Sequence, residues 1–109
     1  MKTLTVPVQL PDDLGTVTGL LHSPSNAQFM LVLAHGAGTD MRHAFLETLA
    51  QRLADRQIAT FRFNFRYKEL GKGAPDRPKI ALPTVRAAIE TAAGLAGTMP
   101  LFAGGKSFG

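Results

Sequence analysis

The sequence predicts an α/β protein in which an antiparallel strand pair leads into parallel strands joined by crossover helices. Three observations carry this expectation. The run Phe29-Met30-Leu31-Val32-Leu33-Ala34 is apolar without a break, as a strand covered on both faces requires. From there the order is strand, helix, strand, helix, strand, the pattern that builds a parallel sheet with right-handed crossovers. Two glycine-rich turns, His35-Gly36-Ala37-Gly38 and Gly104-Gly105-Lys106-Ser107-Phe108-Gly109, each fall at the end of a predicted strand, where such sheets carry their ligands.

Taken in order, Leu4 to Leu10 alternates apolar and polar residues and reads as a half-buried or edge strand. Pro7 favours the edge, because it cannot donate to a ladder. Pro11-Asp12-Asp13 and Gly15 mark a turn, and Val17 to His22 is the second strand, ended by Ser23-Pro24-Ser25-Asn26. After the buried strand, a helix is expected from about Met41 to Arg56. Phe45, Leu46, Leu49, Ala50 and Leu53 share its apolar stripe, and Thr39 or Asp40 can cap its first turn. Gln57 stands where a C-terminal glycine is expected. Ile58 to Phe65 is the next strand. The stretch Arg66 to Lys79 has glycine, proline and charge without a period and reads as a loop. A second helix runs from about Leu82 to Ala96, with Val85, Ala88, Ile89 and Ala92 on one face and Gly97 as its C-cap. Met99 to Gly104 is the last strand.

The 109 residues hold at most one domain, and 45% hydrophobic with 18% charged residues is a globular composition. With no cysteine, disulfides and thiolate metal sites are excluded. The N-terminus has the pattern of neither a secretory signal nor a transit peptide. The longest apolar run is far short of the ~20 residues of a membrane helix, so a soluble cytoplasmic protein without membrane binding is expected. The net charge is +4, with the excess between Arg62 and Arg86. No nucleic-acid module surrounds that stretch. It reads as a solvated loop and helix surface, and nucleic-acid binding is not expected.

The closing stretch admits a phosphate reading, because Gly105-Lys106-Ser107 is the tail of a Walker A loop. The first glycine of that loop would fall at position 100, where Pro100 has neither the N–H nor the φ that the turn needs. A dinucleotide fingerprint at Gly36-Ala37-Gly38 would need its third glycine at 41, where Met41 stands. Neither phosphate pattern is complete. Gly105-x-Ser107-x-Gly109, by contrast, is the full spelling of a serine nucleophile elbow. The serine sits in a tight strand-to-helix turn that small neighbours at ±2 make sterically possible. The oxyanion hole then needs one N–H just after the nucleophile and one from the turn after an earlier strand. Phe108 and Ala37 supply them, with Gly36 the substitute for Ala37.

Together, LVLAHGAGTDMRHAF, IATFRFNFRY, the PDRP loop and PLFAGGKSFG resemble the alpha/beta-hydrolase superfamily. The similarity is nearest to its small, lidless, dienelactone-hydrolase-like branch, which includes predicted hydrolases related to testis-expressed protein 30. The resemblance runs from about Leu20 to Gly109 and departs at Arg66, where the family often has proline. It implies the N-terminal half of that fold, with Ser107 as nucleophile and Ala37 and Phe108 as oxyanion donors. It also implies a small-molecule, ester-like substrate and no cofactor or metal.

In that fold the chain order is serine, acid, histidine, yet only Phe108 and Gly109 follow Ser107 here. The chain therefore reads as a truncated domain ending at the elbow, inactive as given, with an open last strand that an oligomer or partner would cover. His35 is expected to hold the oxyanion turn by packing and hydrogen bonding. His43 reads either as a substrate contact or as a partly buried structural residue, and His22 as exposed. Two alternatives to a serine hydrolase stand beside it: a non-catalytic interaction scaffold with a hydrolase-like core, and last a P-loop-like nucleotide binder.

Overall fold

A computed structural model describes residues 2–105. The strands are β1 (Lys2–Gln9), β2 (Thr16–Ser23), β3 (Phe29–Ala34), β4 (Ile58–Phe63) and β5 (Leu101–Gly105). The helices are α1 (Ala44–Ala54), the short α2 (Arg66–Glu69) and α3 (Pro78–Ala96). One sheet forms in the order β1-β2-β4-β3-β5. β2 pairs antiparallel with β1 and β4, while β3 lies parallel between β4 and β5. This is the predicted mixed sheet, and β1 with its Pro7 lies at an edge as expected.

The alternation of each strand divides two layers of packing. Met30, Val32, Phe61 and Phe63 point toward α3, whose Ala81, Ala88, Ala92 and Ala96 let the helix lie close to the sheet. Thr60 and Arg62 point the opposite way, toward α1, which buries Leu46, Ala50 and Ala54. The unbroken apolar run of β3 follows from serving both layers. Gly19 in β2 has a similar steric origin: a Cβ there would run into the Phe61 ring and stand 3.0 Å from the Val6 carbonyl oxygen.

Several local expectations are corrected. α1 begins at Ala44 rather than Met41, and its cap is His43, whose Nδ1 accepts the Phe45 N–H at 3.3 Å. Asp40 instead accepts the Arg42 N–H, and Thr39 donates its hydroxyl to Gly36. Phe45 leaves the buried stripe and is 49% exposed. The stretch after β4 is not a plain loop, because α2 forms there and α3 starts at Pro78. Pro78 suits a first helical position, and Pro83 lies inside the helix. His22 is half-buried rather than exposed.

The basic stretch is only partly a solvated surface. Arg62 is buried, and its Nη1 lies 3.3 Å from Glu47 Oε1 and donates to the Met41 carbonyl at 3.2 Å. Arg66 Nε donates to the Leu14 carbonyl at 3.0 Å. At the other end of the sheet, the exposed rings of Phe29 and Phe102 tilt together across β3 and β5. No described helix is long and apolar enough to cross a membrane.

Candidate active site

Ala34, the last residue of β3, is in register with Phe63 of β4 and Gly105 of β5. The turn that begins at His35 therefore leaves β3 at the level of Gly105, the end of the neighbouring parallel strand β5. The predicted site residues His35, Gly36, Ala37 and Gly38 all lie in the first turn. Gly105 ends β5, while Ser107, Phe108 and Gly109 lie outside the described residues.

His35 is buried and both ring nitrogens are engaged. Nδ1 lies 2.9 Å from the Gly36 carbonyl, which can only accept, so Nδ1 carries the proton. Nε2 accepts the Phe65 N–H at 3.0 Å. The ring stands edge-on to Phe65 and Tyr67, with centroids 5.0 and 5.9 Å away. Burial pushes the imidazole below its ordinary pKa, and the hydrogen bond to Gly36 and the nearby Asp40 carboxylate only partly oppose this. His35 is thus a neutral strut with no free nitrogen for base catalysis.

The Gly36 carbonyl also accepts the Thr39 N–H at 3.1 Å and the Thr39 hydroxyl at 2.8 Å. In a planar trans peptide the C=O and the following N–H point in opposite directions. Anchoring the Gly36 oxygen inward therefore aims the Ala37 N–H outward. Ala37 is exposed, and no acceptor for its N–H occurs among the described residues. Gly38 takes the left-handed conformation, with φ +79°, which favours glycine. Its N–H donates to the Tyr67 hydroxyl at 3.2 Å.

The turn is held from below by the segment that ends β4. Asn64 Oδ1 accepts the Met41 N–H at 2.9 Å, and Arg62 binds the carbonyl of the same residue. The Tyr67 backbone N–H in turn donates to Asp76 at 3.1 Å, tying the stretch before α3 to the same assembly. Sequence reasoning missed Asn64, Tyr67 and Asp76. The available signals were a polar residue directly after an apolar strand and the one tyrosine in the chain. His43 is exposed at the head of α1, where its ring caps the helix. Among the described residues, no three His, Asp or Glu side chains gather to hold a metal ion.

An antiparallel pair leading into parallel strands, helices on both faces and a glycine turn at the end of β3 define an α/β protein of the hydrolase type. The chain belongs to the alpha/beta hydrolase family: the model of the alpha/beta hydrolase domain matches residues 27–109. Among solved structures, it is similar to an α/β serine hydrolase without a lid from Xanthomonas campestris. There the TM-score is 0.80 at 22% identity, over 100% of this chain and 52% of the other. An alpha-beta serine hydrolase homologue from Coxiella burnetii gives 0.80 at 21%, over 99% and 53%. Dienelactone hydrolase from Anabaena variabilis gives 0.82 at 16%, over 99% and 53%. The chain thus spans about half the length of each of these proteins. No curated protein sequence matches it.

Proposed function

We propose that this chain carries the nucleophile and the oxyanion donors of a serine hydrolase acting on small ester-like substrates. Ser107 attacks the acyl carbon, and the carbonyl oxygen takes up negative charge between the N–H groups of Ala37 and Phe108. The ester C–O bond then breaks. The proton that Ser107 gives up passes to a general base, which the family's chain order places after the serine, and from it to the leaving alcohol; water later splits the acyl-serine bond to release the acid. The observation that supports this reading best is the Gly36 carbonyl, whose partners turn the Ala37 N–H outward beside the strand that leads to Ser107. No His, Asp or Glu follows Ser107 in the 109 residues. A serine without a base and a carboxylate is a weak nucleophile, so the chain alone is proposed not to turn over esters.

The test is a fluorophosphonate probe applied to the protein expressed from its own gene, with mass spectrometry to locate the adduct. Labelling at Ser107 that disappears in Ser107→Ala is expected. An unlabelled wild type, or a label that persists in the variant, rejects the reading.

A further inference from the structure

We propose that Tyr67 is a positioning residue for the oxyanion turn: its hydroxyl binds the Gly38 N–H and leaves the Ala37 N–H as the turn's donor. This rests on the hydrolase reading and deepens it. Tyr67 stands 29 residues from Gly38, in α2, and only 2% of it is exposed. Its place is set by packing that does not involve Gly38. The ring meets His35, Lys68 Nζ lies 5.8 Å from its centroid, and its backbone N–H is held by Asp76. The phenol oxygen is therefore a fixed acceptor for the Gly38 N–H.

The consequence follows from the geometry of the turn. Gly38, at φ +79°, is the third residue of a β-turn closed by the Thr39 N–H on the Gly36 carbonyl. A free Gly38 N–H would be a second donor beside Ala37 for the same negative charge. Binding it to Tyr67 removes that competitor. It also denies the glycine the wide backbone freedom through which the Ala37 peptide could flip. A donor that is already aimed before charge develops costs no reorganisation during the reaction. The Gly36 side of the peptide is anchored by His35 and Thr39, and the Gly38 side by Tyr67.

Tyr67→Phe tests this, because it keeps the ring and removes only the acceptor. Two readouts are made on the protein expressed from its own gene. The first is amide hydrogen exchange by NMR. In the wild type Gly38 is expected to be protected and Ala37 to exchange fast, and in Tyr67→Phe the Gly38 protection is expected to fall by about tenfold or more. The second is the rate of fluorophosphonate labelling at Ser107, with kcat and KM for a short acyl ester. Labelling and kcat are expected to drop by about tenfold with KM unchanged. That is less than the ~100-fold or more lost when an oxyanion donor is removed outright.

An unprotected Gly38 amide in the wild type overturns the inference whether or not the serine reacts. A wild type that labels, with a Tyr67→Phe variant that loses Gly38 protection but labels at the same rate, overturns the positioning role and leaves the hydrolase reading standing. A wild type that never labels overturns the hydrolase reading and the catalytic role of Tyr67 with it, while Gly38 exchange still decides whether the clamp exists.

Discussion

The imidazole of His35 accepts the Phe65 N–H at 3.0 Å, joining the residue after β3 to the segment that leaves β4. The bond requires an unprotonated Nε2, and burial keeps the ring neutral by lowering its pKa below 6.5.

The sign of the resulting pH dependence follows from linkage. Between 6.5 and the lower folded value, the unfolded chain binds a proton at this residue that the folded chain does not. The His35 contribution to stability is therefore fully present above pH 6.5. It is lost progressively as the pH falls, until the folded ring also protonates. Urea denaturation at several pH values between 7.5 and 5, compared with His35→Gln, isolates this residue from the other titrating groups. The wild type should lose more stability on acidification than the variant. Parallel pH profiles would count against a neutral strut.

Arg62 and Glu47 yield a second prediction. The guanidinium is 1% exposed and the carboxylate 38%, with 3.3 Å between Nη1 and Oε1. Arg62 Nε has no hydrogen-bond partner among the described residues. Glu47→Gln should cost about 1–2 kcal/mol, less than for a fully buried pair because the carboxylate is partly solvated. Adding Arg62→Met should recover much of that loss, since it removes the buried charge and leaves an apolar chain of similar length. A double-mutant cycle by urea melts measures the coupling. Additive costs in the cycle would show that the pair does not interact.

A third prediction concerns Gly19, where a Cβ would meet the Phe61 ring, which is itself completely buried. Gly19→Ala should destabilise the sheet by about 1–3 kcal/mol through overpacking between β2 and β4. Combining it with Phe61→Leu, which vacates the ring edge, should cost less than the two changes added. Thermal melts of the three variants check this, and strict additivity would reject the steric account.

Which features were legible in the sequence depended on how far apart the interacting residues lie. The unbroken run of β3 and the edge proline of β1 are local signals, and both led to the observed strand positions. α3 starts at Pro78 rather than at about Leu82, because the glycine, proline and charge of the stretch from Arg66 to Lys79 hide the period of its first turn. The helix tolerates Pro83, with Thr84 of the same turn donating its hydroxyl to the Ile80 carbonyl at 2.8 Å. The glycine turn after β3 was legible as a turn, but its clamp was not. Tyr67 and Asn64 reach residues 29 and 23 positions away, and no spacing rule links such pairs. Arg62 escaped for the opposite reason: a charged residue in a basic stretch reads as solvated until the strand's alternation turns it inward against Glu47.

Thr39 provides the last prediction, because its hydroxyl and N–H both converge on the Gly36 carbonyl. Thr39→Val preserves the shape and the backbone donor but turns a methyl group toward that oxygen. The loss of one hydrogen bond should lower stability by about 1 kcal/mol. If the inward anchoring of Gly36 is what aims the Ala37 N–H, the same change should also slow fluorophosphonate labelling at Ser107, by roughly three- to tenfold on the scale of partial oxyanion loss. Thr39→Ser restores the hydroxyl without the methyl and should recover most of the labelling rate, even if it leaves some stability behind. Stability and labelling would then part company between the two variants. A labelling rate that simply follows stability across wild type, Val and Ser would mean that Thr39 supports the fold and has no part in aiming the donor.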